Sequence, residues 1–175
     1  MRLSKHIQVK VGDITKECSD AIVNAANSSL LGGGGVDGAI HSAGGADILN
    51  ACREIRSSSY PDGLPTGKAV STTAGNMCSK YVIHTVGPIY SQCAQKCESL
   101  LASCYTNSIN KAIELNCKSI AFPAISTGIY SYPKEEAAKI AFNTLLQLTQ
   151  QHDIDVSFIF HSKDDYDTFV SVATK

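Results

Sequence analysis

Four consecutive glycines, at positions 32–35, lie between an apolar strand-like run and a helix-like stretch. Glycine loses more backbone freedom on folding than any other residue, so a glycine run suggests that the main chain must approach something closely. Free N–H groups and the helix dipole at a helix N-terminus favour an anion, and a phosphate is the leading candidate. The alternative is a flexible linker, which the apolar sequence close on both sides makes the weaker interpretation.

Asp37 and His41 are four residues apart in the predicted helix after the glycines, so their side chains share one face. Asp37 lies in the first turn, where the helix dipole stabilises an ionised carboxylate. Beside a phosphate, such a carboxylate could orient or activate a water molecule, and the histidine could hydrogen-bond in the same region. The plainer alternatives are a helix-start carboxylate and a half-buried imidazole. The neighbouring glycine run favours the chemical interpretation.

Two further polar segments follow predicted strands. Asp13, in the sequence Gly-Asp-Ile-Thr, can accept a hydrogen bond from an exocyclic amine, or it can cap the following turn. Asn24 and Asn27 are the first and last residues of the sequence Asn-Ala-Ala-Asn. A side-chain amide offers hydrogen-bond donors and an acceptor, which suit ribose hydroxyls. Ordinary turn chemistry is the alternative for this second segment.

A third polar segment, residues 125–130, reads Ile-Ser-Thr-Gly-Ile-Tyr. Ser126, Thr127 and Gly128 can present hydroxyls and backbone amides to a diphosphate, and Tyr130 can pack on a sugar. Neither this segment nor the glycine run has the lysine of a P-loop, which argues against a nucleoside triphosphatase. The glycine spacing also fails the G-x-G-x-x-G pattern, which disfavours hydride transfer. His84, within an apolar strand, is interpreted as a core histidine.

Strand-like and helix-like segments alternate along the chain, which predicts an α/β layered sheet. The predicted strands are residues 7–11, 20–24, 69–73, 81–86, 119–122 and 156–160. The predicted helices are residues 36–43, 47–56, 98–115, 134–150 and 164–172. In such sheets ligands bind beyond the carboxyl ends of the strands. Residues 24–37, 124–130 and 161–164 should therefore converge at that edge, together with Asp13.

Composition narrows the class of protein. The chain has 175 residues, of which 43% are hydrophobic, enough for one domain with its own core. Its net charge of -1 argues against a large nucleic-acid footprint, but it allows a small phosphate site made of backbone amides. No apolar run approaches the length of a membrane span, and residues 1–10 lack the apolar region of a secretory signal.

The chain has seven cysteines, an odd number, and they are irregularly spaced. This pattern fits free thiols in a reducing cytoplasm better than a disulfide framework. Cys93 and Cys97 are four apart and could share a helix face, but a metal site would need two more ligands at suitable spacing. We therefore expect small buried hydrophobic cysteines, a few exposed thiols, no bound metal and a cytoplasmic location.

Five motifs occur in order along the chain: Gly-Asp-Ile-Thr, Asp-Ala-Ile-Val-Asn-Ala-Ala-Asn, Gly-Gly-Gly-Gly-Val-Asp-Gly-Ala-Ile-His, Tyr-Val-Ile-His-Thr-Val-Gly-Pro and Ile-Ser-Thr-Gly-Ile-Tyr-Ser-Tyr-Pro. Together they resemble the macrodomain superfamily, and within it the MacroD type, over roughly residues 5–173. The resemblance implies a three-layer α/β/α sandwich with a mixed central sheet, formed by one macrodomain over residues 1–175. It also implies binding of ADP-ribose.

The same resemblance implies an adenine subsite. Asp13 would meet the adenine amino group, with the backbone of Ile14 nearby. Where the family usually has Tyr or Phe over the adenine, this chain has His161, preceded by Phe160. Histidine stacks with less surface, so we expect adenine affinity or base selectivity to differ.

The resemblance further implies how the phosphates and the distal ribose are held. Asn27 would hold the distal ribose, and Tyr130 would lie against it. Asp37 and His41 occupy the positions of the catalytic acidic residue and the nearby histidine of MacroD-type enzymes. The two loops that would wrap the phosphates and the ribose consist of Gly33, Gly34, Gly35, Val36, Ser126, Thr127, Gly128 and Ile129.

The implied activity is hydrolysis of the ester between the distal ribose and an acidic protein side chain, and deacetylation of O-acetyl-ADP-ribose. Water is the nucleophile, oriented or activated by Asp37, and neither a metal nor a cofactor is required. The alternative is a reader module that binds ADP-ribose or mono-ADP-ribosylated proteins without hydrolysis. The joint presence of Asn27, Asp37 and His41 argues against that alternative.

Other partners are less favoured by the sequence. Binding of single-stranded RNA or poly(ADP-ribose) is a third possibility, weakened by the near-neutral charge. No coiled-coil heptads are visible, so we expect a monomer, and no association with membranes.

Overall fold

A computed structural model describes all residues, 1–175, and is built around one six-stranded sheet. In chain order the strands are β1 (Ile7–Val11), β2 (Ala21–Ala26), β3 (Ala69–Thr73), β4 (Tyr81–Val86), β5 (Ser119–Phe122) and β6 (Asp155–Phe160). The helices are α1 (Gly35–Gly44), α2 (Ala46–Ser58), α3 (Cys97–Glu114), α4 (Lys134–Gln151) and α5 (Lys163–Ala173). Three one-turn 3₁₀ helices, which the sequence did not predict, lie at Ile14–Lys16, Tyr90–Gln92 and Ala94–Lys96.

The sheet has the strand order β1-β6-β5-β2-β4-β3. Every neighbouring pair is parallel except β3 and β4, which are antiparallel, so the sheet is mixed. Helices α1 and α2 bury their apolar residues on one face, and α3, α4 and α5 bury theirs on the other. The predicted three-layer α/β/α sandwich is therefore confirmed, and the carboxyl ends of the five parallel strands share one edge.

The element boundaries follow the sequence pattern closely. Strands β1, β3, β4 and β5 begin and end where predicted. Strand β2 was predicted to end at Asn24, but it continues to Ala26 because its last three residues pair with His84–Val86 of β4. The longest helices, α3 and α4, have 18 residues each, and no helix of the protein combines the length and apolar character needed to cross a membrane.

A cluster of aromatic rings fixes the ends of β5 and β6. Phe158 of β6 contacts Phe169 of α5, with ring centroids 4.4 Å apart, and Phe160 contacts the same ring at 5.1 Å. In the same cluster, Tyr105 of α3 lies 5.3 Å from Phe122 of β5. Each such pair contributes about 0.5–1.5 kcal/mol beyond the burial of its area. The segments that leave these strands at the carboxyl edge therefore start from a rigid base.

Arg56 of α2 holds the segment between β2 and α1. Its guanidinium donates to three backbone carbonyl groups, those of Ser29, Tyr60 and Pro61, at 2.8–2.9 Å. Ser28 of the same segment accepts from the N–H of Leu64 at 2.9 Å. These bonds anchor the base of the glycine loop, while no side chain caps the start of α1 at Gly34.

The expectation of free cysteines is wrong for four of the seven. Cys18, after the first 3₁₀ helix, forms a disulfide with Cys78 in the β3–β4 connection. Cys93 and Cys97 form a second disulfide, across the one-turn spacing noted in the sequence. The buried cysteines Cys52, Cys104 and Cys117 remain free, as small apolar core residues do. The cysteine pattern therefore no longer supports the prediction of a reducing compartment.

Gly87 follows β4 directly, and a Cβ there would lie 2.2 Å from Ser126 Oγ and 2.7 Å from Ile125 Cγ2. We expect Gly87→Ala to push apart the segments after β4 and β5 and to lower the free energy of unfolding by about 1–3 kcal/mol. Urea unfolding followed by circular dichroism measures the loss. In the matched control Gly12→Ala, the Cβ meets only Ile159 Cγ2, at 3.7 Å, so stability should stay unchanged or rise by up to about 1 kcal/mol. Equal losses in the two variants would contradict the close packing inferred here.

Candidate functional site

An elongated cleft of about 750 Å³ opens along the carboxyl edge of the sheet. Fourteen of the fifteen site residues expected from the sequence line it: Asp13, Ile14, Asn27, Gly33, Gly34, Gly35, Val36, Asp37, Ser126, Thr127, Gly128, Ile129, Tyr130 and His161. The exception, His41, lies behind the wall of the cleft. The structure thus brings the predicted residues together, while the roles assigned to them stay predictions.

Asp13 and His161 form one end of the cleft. They leave the sheet side by side, because β1 and β6 are parallel neighbours with Val11 opposite Phe160. Asp13 Oδ1 accepts from the hydroxyl of Thr15 at 2.6 Å and from its N–H at 3.0 Å. These two hydrogen bonds lower the pKa of the Asp13 carboxyl below its usual value. Asp13 therefore caps the following turn, as the alternative interpretation suggested. Its other oxygen, Oδ2, remains free to accept a hydrogen bond from a ligand.

The glycine loop between β2 and α1 presents unpaired backbone donors. The N–H groups of Gly33 and Gly34 donate to no acceptor in the protein, and α1 has no side-chain cap. The first-turn N–H groups of Gly35 and Val36 have no intrahelical partner either. A Cβ on Gly38 would lie 2.5 Å from the carbonyl oxygen of Gly33, so the loop packs directly on the helix it precedes. The helix N-terminus is thus open toward the cleft.

A second loop faces the first across the cleft. Five successive N–H groups, from Ser126 to Tyr130, make no hydrogen bond within the protein. The next two N–H groups, those of Ser131 and Tyr132, donate to the carbonyls of Gly128 and Ser126 and close the loop on itself. Ser126 has a φ of 67°, and its hydroxyl oxygen is buried without a partner. Successive N–H groups in a turn form a concavity that suits an anion.

Asn27 and Asp37 converge beneath Gly33. A Cβ built on Gly33 would lie 3.2 Å from both Asn27 Nδ2 and Asp37 Oδ2. Asn27 Oδ1 accepts from the N–H of Ser29 at 3.0 Å, and Nδ2 donates to the carbonyl of Gly32 at 3.0 Å. One hydrogen of Nδ2 therefore remains for a ligand, next to a carboxylate oxygen.

Asp37 lies in the first turn of α1 and is 5% exposed. Its Oδ1 accepts a hydrogen bond from Asn24 Nδ2 at 2.7 Å. His41 Nε2 lies 3.4 Å from the same oxygen, but without the alignment of a hydrogen bond. Oδ1 is thus held from inside the protein, and Oδ2 is the oxygen that meets the cleft.

Behind Asp37 lies a polar network that the sequence analysis missed. Asn24 also contacts His84 Nδ1, at 3.1 Å, and His84 Nε2 contacts the hydroxyl of Thr72, at 2.9 Å. Burial, and secondarily the neighbouring His41, lower the pKa of His84 to about 3, so its imidazole is neutral. A signal was present in the sequence, because Asn24 and His84 are polar residues at inward positions of otherwise apolar strands. Their partnership depends on the β2–β4 register, which the sequence does not state.

His41, Cys52 and His84 place potential metal-binding atoms within 4.8 Å of one another. Both nitrogens of His84 are nevertheless engaged, with Asn24 and Thr72. Burial raises the pKa of the Cys52 thiol to about 11, which keeps it protonated. The cluster is therefore better described as a hydrogen-bonded network than as a metal site.

The rim of the cleft includes Lys134, which the sequence analysis did not indicate, and the exposed side chain of Ile129. Lys134 is the only Lys or Arg in the lining, and its ammonium is paired with Asp165 at 2.5 Å. Ile129, at the tip of the second loop, is 95% exposed. A small apolar recess of about 30 Å³, between β6, α4 and α5, adjoins this rim. The donors available to an anion in the cleft are thus mainly backbone N–H groups.

Fold and cleft together define an α/β/α protein whose candidate ligand site lies at the carboxyl edge of a mixed sheet. Residues 23–141 match the Macro domain family. A macro domain-containing protein of Streptomyces griseus is 54% identical over 170 residues, covering 97% of this chain and 96% of that protein. The chain therefore belongs to the macrodomain family.

Two further relatives bear on the cleft. A protein of Escherichia fergusonii named O-acetyl-ADP-ribose deacetylase is 46% identical over 163 residues, covering 93% of this chain and 91% of that protein. A mutant of the Oceanobacillus iheyensis macrodomain, whose structure is known with ADPR, has a TM-score of 0.93 and 45% identity. That likeness covers 96% of this chain and 91% of the other. The sequence similarity to these relatives thus covers all the segments that line the cleft.

The neutral His84 makes stability depend on pH. The pKa of His84 is about 3 in the folded protein and about 6.5 in an unfolded chain, so the unfolded state binds the extra proton. The stabilisation that comes from the neutral His84 is therefore complete above about pH 6.5. Below that pH the free energy of unfolding falls toward pH 3, by up to about 1.4 kcal/mol per pH unit. Urea unfolding near pH 7 and near pH 4.5 measures it. We expect His84→Asn to show a weaker pH dependence than the natural protein; identical dependence would contradict a neutral buried His84.

Proposed function

We propose that this protein is a hydrolase that binds ADP-ribose, removes mono-ADP-ribose from acidic side chains of proteins, and deacetylates O-acetyl-ADP-ribose. One observation carries the proposal. Asp37 Oδ2 and Asn27 Nδ2 converge on Gly33 between two loops whose N–H groups have no partners in the protein. A buried carboxylate next to an anion-binding backbone is what hydrolysis of a phosphate-tethered ester requires. The macrodomain membership and the deacetylase-named relative support this reading.

In the proposed complex, the diphosphate accepts hydrogen bonds from the two loops. Adenine lies at the end of the cleft formed by Asp13 and His161, where Asp13 Oδ2 accepts from the exocyclic amine. The distal ribose lies between Asn27 and Tyr130, and its ester faces Asp37. Binding depends mainly on backbone donors, which agrees with a cleft whose one lysine is already paired.

The proposed reaction is the addition of water to an ester. The water oxygen bonds to the carbonyl carbon, and the water proton passes to Asp37 Oδ2. The bond from that carbon to the ribose oxygen then breaks as Asp37 Oδ2 transfers this proton to the ribose oxygen, which leaves as a hydroxyl group. The other product is acetate or the free acidic side chain, so one step serves both substrates. Asn24, by donating to Oδ1, leaves Oδ2 as the oxygen that takes the proton.

The activity is tested by following release of ADP-ribose from proteins modified on Glu or Asp, on Ser and on Arg, and of acetate from O-acetyl-ADP-ribose. We expect release from the ester-linked substrates alone. In Asp37→Asn and Asp37→Ala, kcat should fall by about a hundredfold or more, because the proton acceptor is lost. The Kd for ADP-ribose, measured by calorimetry, should change only a few-fold, since the backbone donors remain.

The matched control is Asp47→Asn, because Asp47 is also a first-turn aspartate, of α2, but is exposed and outside the cleft. Its kcat should equal that of the natural protein. Full turnover in the Asp37 variants would rule out the assigned role. Tight binding of modified protein without any release in the natural chain would instead favour the reader module.

Asp13 should govern selection of the base. We expect Asp13→Ala to weaken binding of ADP-ribose by about tenfold to a hundredfold, the range for a hydrogen bond to a charged group. Inosine diphosphate ribose lacks the exocyclic amine, so its Kd should change little in the same variant. Calorimetry with both ligands checks this expectation. An equal loss for the two ligands would show that Asp13 acts through the fold of its turn and not through the base.

A further inference from the structure

We propose that His84 is a positioning residue for the reaction, fixing the amide of Asn24 and thereby the carboxylate of Asp37. The inference rests on the proposed function, since it assigns to His84 a part in the hydrolysis that Asp37 carries out. His84 is fully buried in β4, lies outside the lining of the cleft, and touches no ligand-facing surface. Its action would therefore pass through other side chains.

The first step is the register of the sheet. Asn24 of β2 and His84 of β4 lie directly opposite each other in the parallel pairing. Asn24 Nδ2 is 2.7 Å from Asp37 Oδ1 and 3.1 Å from His84 Nδ1. An amide NH₂ has two hydrogens, and these two acceptors use both.

The second step is the tautomer of His84. Thr72 has one hydroxyl hydrogen, which it donates to the carbonyl of Thr73 at 2.9 Å. Asn24 Nδ2, held by Asp37 Oδ1, can only donate, so His84 Nδ1 accepts from it and the hydrogen of the neutral ring lies on Nε2. The Thr72 oxygen, at 2.9 Å, can then accept from Nε2, and Cys52 Sγ, at 3.9 Å, is the other contact of that nitrogen. The low pKa of His84 keeps this state over the pH range of an activity assay.

The third step is the orientation of the Asn24 amide. If the Asn24 amide were rotated by 180°, its oxygen would face the carboxylate of Asp37 and the lone pair of His84 Nδ1. Both contacts would be repulsive. In the observed orientation the same oxygen, Oδ1, is buried without a partner. An unpaired buried acceptor is unfavourable, so the orientation is imposed by the two partners of Nδ2. His84 is one of them, and it keeps a donor directed at Asp37 Oδ1.

Two substitutions of His84 test its two ring nitrogens separately. The side-chain oxygen of His84→Asn reaches the place of Nδ1 and can accept from Asn24, but nothing reaches Thr72. The amide of His84→Gln reaches the place of Nε2 and can donate to Thr72, but nothing accepts from Asn24. We expect kcat to fall by about tenfold to a hundredfold in His84→Gln and to stay within about threefold in His84→Asn. The Kd for ADP-ribose should stay within about threefold in both.

Melting temperatures measured in parallel distinguish positioning from support of the fold. Both variants lose one hydrogen bond of the network, so both should be destabilised, while only one should lose turnover. A kcat that falls equally in the two variants, or that follows their melting temperatures, would overturn the inference. If neither variant folds, Thr72→Val and Thr72→Ser replace them. Thr72→Val removes the oxygen that accepts from Nε2 and should lower kcat, whereas Thr72→Ser should not; equal kcat would overturn the inference.

A measurement without turnover separates this inference from the proposed function. Nitrogen NMR of the five histidines, with His84 assigned by its loss in the His84 variants, reports which ring nitrogen carries the hydrogen. We expect hydrogen on Nε2 and none on Nδ1. Hydrogen on Nδ1 would overturn the role of His84 even where the natural protein hydrolyses its substrates. Absence of any turnover in the natural protein would overturn the proposed function, and the role of His84 in catalysis with it.

Discussion

The hydrogen bond from Asn24 Nδ2 to Asp37 Oδ1 joins the central sheet to the first helix, and the candidate site depends on it. It ties α1 to the end of β2, so the chain between them must turn back within a short segment. Arg56 anchors the base of that segment, and glycine with unpaired N–H groups forms its tip. The same bond decides which oxygen of Asp37 meets the cleft. The orientation of the Asp37 carboxylate thus follows from one contact between the sheet and the first helix.

The cleft combines a buried carboxylate with two loops of unpaired backbone N–H groups in a protein of net charge -1. These features are compatible because the attraction for an anion comes from oriented N–H dipoles at close range rather than from a surplus of cations. Lys134 does not change this, since its ammonium is paired with Asp165. The carboxylate of Asp37 is accommodated beside the loops because Asn24 donates a hydrogen bond to it and because it lies in the first turn of α1. Selectivity must therefore come from shape and distance.

Much of this architecture could be predicted from the sequence, for reasons that differ between elements. Strands such as β5, closed by Pro123, are short apolar runs whose ends are set by local chemistry. The residues of the cleft could be predicted because the carboxyl ends of parallel strands must meet. The Cys18–Cys78 disulfide could not, since it joins segments sixty residues apart whose proximity is a tertiary fact. His84 was correctly predicted as a core histidine, but its contact with Asn24 could not be predicted, because that contact depends on the β2–β4 register.

The second loop has a consequence for how such a protein can evolve. Its five successive donors belong to the main chain, so ordinary side-chain substitutions cannot delete them; only proline, or a change in backbone conformation, can. Residues at the tip, such as the almost fully exposed Ile129, can therefore vary while the row of free N–H groups persists. Mutational drift in this loop would alter what the rim contacts and leave the five main-chain donors unchanged. The loop is robust in its backbone donors and variable in its surface, a combination that lets the rim change its contacts without loss of the donors that face the cleft.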